Sequence, residues 1–128
     1  MIAIDASVVI ALLDSGDAYH ARAVSLMNSH AGDGFLIHAI TLAEVLVGAA
    51  RRGRGAQRLA ELTAIGISVA DSDPTEPLFL AELRATTSLA LPDCCVLSVA
   101  LRAETSIATF DARLGRAALE AGLRVVVD

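Results

Sequence analysis

Four acidic side chains lie where short apolar segments end or where helices are predicted to begin. Asp5 directly follows the apolar segment 2–4, and Glu44 lies among leucine and valine residues. Asp93 and Asp111 stand at the starts of two predicted helices in the second half of the chain. Carboxylate oxygens are the ligands that Mg²⁺ and Mn²⁺ prefer. If the four side chains converge, they predict metal-assisted phosphoryl transfer, which needs no nucleophilic side chain.

Each acid also has an interpretation as a structural residue. Thr41 and Glu44 match a capping box, in which Thr41 begins the helix and Glu44 accepts from its amide. Asp5 and Asp111 are possible caps, and Asp93 would oppose a helix dipole. However, two carboxylates at about 4 Å repel by about 4 kcal/mol at an effective dielectric near 20, which disfavours gathering all four for capping alone. Asp5 with Asp93 is the preferred pair of metal ligands. Glu44 and Asp111 would bind through water, hold a second ion or position the attacking water.

Short apolar runs alternate with longer helical patterns along the chain. Strands that are apolar throughout are typical of a parallel sheet covered on both faces, so the alternation predicts one doubly wound α/β domain. Ligands of such sheets bind beyond the carboxyl ends of the strands, which is where the four acids fall. We expect strands at residues 2–4, 35–38, 67–69, 106–109 and 123–127. We expect helices at residues 6–13, 17–29, 41–52, 56–64, 74–89, 92–103 and 111–121.

The composition excludes several classes of protein. Of the 128 residues, 55% are hydrophobic, yet no stretch approaches the roughly 18–20 apolar residues that a membrane-spanning helix needs. The first residues lack the basic segment of a secretory signal, so we expect a cytoplasmic protein that does not associate with a membrane. All ten basic residues are arginine. Phospho-receivers and haloacid-dehalogenase-type phosphatases rely on a lysine, and the latter also need an acid where Ser7 stands. Both are therefore excluded.

Other polar and aromatic residues leave alternatives open. A net charge of −5 disfavours indiscriminate binding to a polyanion, and 3% aromatic residues predict no base-stacking platform. Ser7 is a candidate hydrogen-bond donor to Asp5. The histidines lack metal-ligand spacing, and Cys94 and Cys95 fit small buried apolar residues better than a disulfide framework. Four arginines form a cluster that is either a phosphate-tracking rim or a solvated helix end: Arg51, Arg52, Arg54 and Arg58. Arg113 and Arg116, beside Asp111, are candidates to contact substrate.

Four segments carry a resemblance to a known family. The sequences IAIDASVVIALL, ITLAEVLVG, LPDCCVLSVAL and IATFDARL resemble, in order and spacing, the four acidic motifs of PIN domains, above all the stand-alone toxins of the VapC type. The resemblance implies a PIN domain over residues 1–128, an α/β/α sandwich with sheet order 3-2-1-4-5. It implies a Mg²⁺- or Mn²⁺-dependent endoribonuclease that acts as the toxin of a type II toxin–antitoxin pair. The residues at the family's acidic positions are Asp5, Glu44, Asp93 and Asp111, with Thr109 at its supporting position.

The same resemblance implies partners. These are an RNA substrate, a VapB-type antitoxin whose tail occupies the acidic groove, and a second copy of the chain in a homodimer. The apolar residues of segments 18–27 and 45–60 are where we expect a subunit or partner to pack. Cys94 and Cys95 replace the small residues that many relatives have after the third acid. A catalytically inert PIN-like interaction module is the alternative, although a scaffold has no reason to retain four mutually repelling acids.

Overall fold

Five short strands form one sheet in which all neighbouring strands run parallel. The computed structural model describes residues 1–126. The strand order is β3-β2-β1-β4-β5, which confirms the α/β fold and the sheet order implied by the resemblance. Val127, which we expected in the last strand, lies outside the described residues. The strands are β1 (Ile2–Ile4), β2 (Phe35–Ile37), β3 (Ile67–Val69), β4 (Ile107–Ala108) and β5 (Val125–Val126).

Helices connect the strands at the predicted places, with small shifts at their ends. The second helix begins later than predicted, because the segment before it forms turns in which the Asp17 carboxylate accepts from the Tyr19 amide at 2.8 Å. The third begins earlier than predicted, because His38 serves as its N-cap. The helices are α1 (Ala6–Leu13), α2 (His20–Ser29), α3 (Ala39–Arg51), α4 (Gly55–Ala64), α5 (Glu76–Thr87), α6 (Leu91–Arg102) and α7 (Ala112–Glu120).

The two faces of the sheet carry separate hydrophobic cores. Along β1, Ile2 and Ile4 pack on one face, against buried residues of α1 to α4. Ala3 points to the other face, against buried residues of α6 and α7. Successive strand residues point to opposite faces, so strands covered on both sides must be apolar at every position. This arrangement explains why β1 and β2 show no polar alternation, whereas the edge strand β3 carries the exposed Ser68.

The chain reverses its direction of travel across the sheet at β1. The strands β2 and β3 lie on one side of β1, and β4 and β5 on the other. A ligand crevice in such a sheet forms beyond the carboxyl ends of the strands at this switch point. Asp5 directly follows β1, and its amide donates to the Ala108 carbonyl of β4 at 2.9 Å. Within residues 1–126, none of the helices combines the length and the apolar character required to cross a bilayer.

Candidate active site

Asp5 is a buried carboxylate held by two hydroxyl groups. The residue is 6% exposed. The hydroxyls of Ser7 and Thr109 each donate to its Oδ2 at 2.7 Å, which confirms the expected contact of Ser7. Asp5 occupies the N-cap position of α1, but its side chain makes no capping hydrogen bond within the described chain. The interpretation of Asp5 as a cap is therefore wrong. Two charge-assisted hydrogen bonds offset the burial of this carboxylate and fix its orientation.

The same two hydroxyls hold the loop between β4 and α7. Ser7 Oγ accepts from the Phe110 amide at 3.0 Å, and Thr109 Oγ1 accepts from the Asp111 amide at 3.0 Å. Each hydroxyl thus donates to Asp5 and accepts from the loop backbone. This network ties the position of Asp111 to that of Asp5.

Glu44 has no capping role. The N-cap of α3 is His38, whose Nδ1 accepts from the Ile40 amide at 3.0 Å. The helix therefore begins two residues before the predicted start, and Glu44 lies exposed in its second turn. Thr41, the cap that we predicted, is buried inside the helix, and its hydroxyl finds no hydrogen-bond partner among residues 1–126. The capping-box prediction was wrong because an imidazole nitrogen supplies the acceptor instead.

Asp111 is a cap, as one interpretation proposed. Its Oδ1 accepts from the amides of Arg113 and Leu114 at 2.9 and 3.0 Å, at the start of α7. Its Oδ2 has no hydrogen-bond partner in the described part of the chain. Because one oxygen caps the helix and the other stays available, the structural and functional interpretations of Asp111 are compatible.

Asp93 shows that the four acids converge. It lies half-buried in the first turn of α6. Burial raises the pKa of its carboxyl, and the negative charges of Asp111, Asp5 and Glu44 raise it further. The positive charge of Arg113 acts in the opposite direction. The fold thus brings Asp5, Glu44 and Asp111 within electrostatic range of Asp93, at the carboxyl end of the sheet.

The chemistry of the donor atoms fits a hard, hydrated cation. Among residues 1–126, no three His, Cys, Asp or Glu side chains form a ready-made metal cage. Mg²⁺ does not require one, because it keeps several waters and is held through one or two carboxylates. A soft thiolate site does not fit: burial raises the pKa of Cys95 to about 11, so this thiol stays protonated near neutral pH. The two cysteines are free and buried, as predicted.

One buried polar group was not anticipated from the sequence. His38 contacts the buried Glu76 through Nε2, and Arg102 NH1 lies 3.9 Å from the other carboxylate oxygen of Glu76. The contact joins the start of α3 to α5 and α6. Its two partners are 38 residues apart, and neither lies in an acidic motif, so no local pattern indicated it.

Arg113 lies close enough to Asp93 for its positive charge to oppose part of the rise in the Asp93 pKa. Arg51 lies exposed in the last turn of α3, where a cation is favoured by the helix dipole. Arg58 pairs with Glu61 at 3.5 Å along α4. Contact between these arginines and RNA stays a prediction.

The family model of the PIN domain matches residues 2–120. The chain therefore belongs to the PIN domain family. No curated protein sequence matches it.

Solved structures share the fold. VapC20 of Mycobacterium tuberculosis, a sarcin-ricin loop cleaving toxin, is 18% identical, with 100% of both chains covered and a TM-score of 0.74. VapBC2 of Rickettsia felis, bound to a DNA fragment from its promoter, is 14% identical over 96% of this chain and 95% of the other, with a TM-score of 0.70. VapBC-1 of nontypeable Haemophilus influenzae is 15% identical over 97% and 95%, with a TM-score of 0.69. At these identities the likeness is one of fold.

Proposed function

We propose that this protein is a Mg²⁺- or Mn²⁺-dependent endoribonuclease and the toxin of a type II toxin–antitoxin pair. The observation that carries the proposal is that Asp111, Asp5 and Glu44 lie close enough to Asp93 for their negative charges to add to the effect of burial in raising its pKa. Four acids gathered at the switch point of a PIN-family sheet repel one another unless a cation is present. A structural neighbour, VapC20, is a toxin that cleaves the sarcin-ricin loop, which supports RNA as the substrate.

The four acids have different roles in this proposal. Asp5 and Asp93 would hold the cation. The hydroxyls of Ser7 and Thr109 occupy Oδ2 of Asp5, so they orient its Oδ1 as the metal-binding oxygen. Glu44 and Asp111 would orient the attacking water, Asp111 through the oxygen that does not cap α7.

The cation, when bound, would polarise the scissile phosphate, lower the pKa of a bound water and stabilise the leaving oxygen. The protein contributes a fixed cluster of negative charge on rigid elements. It needs no nucleophilic side chain, because water attacks the phosphorus. The 2′-hydroxyl of the RNA is then not a reactant, which separates this hydrolysis from metal-free cleavage through a cyclic phosphate.

The test uses a labelled RNA that the protein cuts and the same RNA with a 2′-O-methyl group on the ribose at the 5′ side of the scissile phosphate. We expect cleavage of both in Mg²⁺ or Mn²⁺, no cleavage in EDTA, and no cyclic phosphate on the products. Protection of the 2′-O-methyl RNA, or cleavage in EDTA, would contradict the proposal. If no RNA is cut with either metal, the inert interaction module becomes the better description.

We further propose an antitoxin partner and a homodimer. The neighbours VapBC2 and VapBC-1 are toxin–antitoxin complexes, which supports the first. An apolar groove of about 650 Å³ between α1, α2 and α4 suits a helix of such a partner. Its lining includes Leu12, Val24, Met27, Leu62 and Ile65. Val24 and Met27 belong to the segment 18–27 in which we expected a partner to pack.

Co-expression with the product of an adjacent short reading frame tests the partner. We expect a stable complex in which cleavage is silenced, and Val24→Asp should break the complex while the free protein stays active. Complex formation unaffected by Val24→Asp would place the partner elsewhere. Sedimentation equilibrium of the free protein tests the dimer, and a monomer at all accessible concentrations would contradict it.

A further inference from the structure

Tyr19 and Phe110 form an aromatic stack at the edge of the acid cluster. Their ring centroids lie 5.0 Å apart, and the ring planes differ by 17°. The guanidinium carbon of Arg22 lies 5.5 Å from the centroid of Tyr19 and 5.1 Å from that of Phe110. The sequence predicted no base-stacking platform because aromatic residues are few, yet the fold brings two of them together beside a cation.

The network around Asp5 places this stack. Phe110 stands between Thr109, which donates to Asp5, and Asp111. Its amide donates to Ser7, whose hydroxyl also donates to Asp5. The stack is therefore attached to the same backbone that positions two of the four acids.

Tyr19 is held from the other side, by the turn before α2. Its amide donates to the Asp17 carboxylate at 2.8 Å, and the carbonyl of Tyr19 accepts from the Ala23 amide at 2.9 Å within the first turn of α2. The stack thus bridges two loops, one before α2 and one before α7. Both of its aromatic residues stand on anchored backbone.

The exposure of the two rings differs. Phe110 packs partly against the core beneath α1 and α2, whereas Tyr19 is 45% exposed. A partly exposed aromatic residue beside a guanidinium is a combination that binds single-stranded nucleic acid, because an aromatic ring can stack on a base and a cation attracts the phosphate backbone. Proteins read RNA mainly through unstacked bases in loops and single strands.

We infer that Tyr19, Phe110 and Arg22 form a nucleobase-stacking subsite for an RNA nucleotide that flanks the scissile phosphate. The inference rests on the proposed function and names how the same site holds its substrate. Stacking tolerates every base, since each has a π-face, so this subsite requires the presence of a base rather than a particular base. Arg22 lies over both rings and would place a positive charge beside the stacked base.

The test measures the Kd of a short, mixed-sequence, single-stranded RNA and of a set of RNAs in which one nucleotide at a time is abasic. An Asp93→Asn background keeps the RNA intact in Mg²⁺. For intact RNA, we expect Tyr19→Ala to raise Kd by about tenfold and Tyr19→Phe to leave it unchanged. For one position of the abasic nucleotide, the Kd of the protein that retains Tyr19 should rise by about tenfold relative to intact RNA. For that same abasic RNA, Tyr19→Ala should raise Kd no further.

Tyr19→Leu gives the second variant, since it keeps apolar bulk without a π-face, and it should bind RNA as weakly as Tyr19→Ala. Leu78→Ala is the matched control, because Leu78 is also an exposed hydrophobic residue but lies on α5. Leu78→Ala should leave Kd unchanged.

Two results would overturn the inference. One is an unchanged Kd for intact RNA in both Tyr19→Ala and Tyr19→Leu. The other is that Tyr19→Ala weakens the binding of intact RNA and of every abasic RNA by the same factor. If the stack instead contacts a protein partner, Tyr19→Ala and Tyr19→Leu should weaken antitoxin binding and leave the RNA affinity unchanged. Failure of the proposed function has a different signature, namely no cleavage by the parent protein in Mg²⁺ or Mn²⁺.

Discussion

The hydroxyl of Thr109 donates a hydrogen bond of 2.7 Å to Oδ2 of Asp5, although 104 residues of sequence separate the two. The bond joins the ends of β1 and β4 and holds a buried carboxylate in one orientation. Asp5, a proposed metal ligand, is thus positioned by the neutral side chain of Thr109, which is not itself proposed to contact substrate.

Replacing Thr109 by valine keeps the shape of the side chain and removes the hydroxyl. We expect a loss of about 1–2 kcal/mol in the free energy of unfolding, because Asp5 and the Asp111 amide each lose a partner. We also expect weaker metal binding and slower cleavage, with recovery of both in Thr109→Ser. Urea denaturation and a Mg²⁺ titration of the cleavage rate measure the two effects.

Thr63→Val is the matched control, since Thr63 is exposed and donates only to the Leu59 carbonyl of its own helix. Its cleavage rate should equal that of the parent. Equal stability and activity of Thr109→Val and the parent would show that the hydroxyl does not position Asp5.

Asp93 gives a prediction for stability without metal. Because folding raises the pKa of Asp93, the folded protein binds this proton more tightly than the unfolded chain does. The charged carboxylate therefore destabilises the fold above its raised pKa, and this penalty disappears as the pH falls toward the ordinary value of 3.8. In EDTA, we expect Asp93→Asn to be more stable than the parent at pH 7, with a difference that shrinks in acid.

Urea denaturation across this pH range checks the sign. A lower stability of Asp93→Asn than of the parent at pH 7 would mean that the charged carboxylate stabilises the folded protein. That result would favour the interpretation in which Asp93 interacts favourably with the dipole of α6. The exposed Asp71 serves as the control position, and Asp71→Asn should unfold at the same urea concentration as the parent at pH 7.

Substitutions at Glu44 and His38 should distinguish a residue needed for cleavage from a residue that caps α3. Glu44→Gln should change the free energy of unfolding by less than about 0.5 kcal/mol, because the residue is exposed and caps nothing. It should nevertheless slow cleavage. His38→Ala should reduce stability by more than the roughly 1 kcal/mol of a lost cap, since it removes the acceptor at the start of α3 and also the imidazole that contacts the buried Glu76.

Thermal melts and cleavage rates of the two variants are compared with those of Glu82→Gln, an exposed glutamate on α5. If Glu44→Gln melts early and cleaves at the parental rate, Glu44 is a structural residue and the proposed four-acid site loses a member.

The buried cysteines predict resistance to alkylation. With the pKa of Cys95 raised to about 11 by burial, only about one such thiol in ten thousand is ionised at pH 7. Burial raises the pKa of Cys94 as well. We expect iodoacetamide to modify neither residue in the folded protein and both in urea, as read by mass spectrometry. Rapid modification of the folded protein with loss of activity would instead indicate an accessible thiolate beside the acids.

Much of this architecture could be predicted from the sequence, because its signals are local. Segments as short as Ile2–Ile4 are apolar at each position, which two-sided burial in a parallel sheet requires. The acids at strand ends then fall on one rim. The start of α3 could not be predicted, because the usual N-cap residues are Ser, Thr, Asp and Asn, and His38 is none of these. The stack of Tyr19 on Phe110 joins two distant loops, and no spacing in the sequence indicates such a contact.

The carboxylates around Asp93 are proposed to hold the divalent cation with which the protein cleaves RNA. The most direct measurement is the single-turnover cleavage rate of one labelled RNA in Mg²⁺ by the parent, Asp5→Asn, Asp93→Asn and the control Asp71→Asn. Loss of residues that only support metal ligands reduces metal affinity or activity by about 10–100-fold, so loss of a ligand should cost at least about hundredfold. We expect that loss in folded Asp5→Asn and Asp93→Asn, with a parental rate in Asp71→Asn. A parental rate in folded Asp5→Asn or Asp93→Asn would contradict the account.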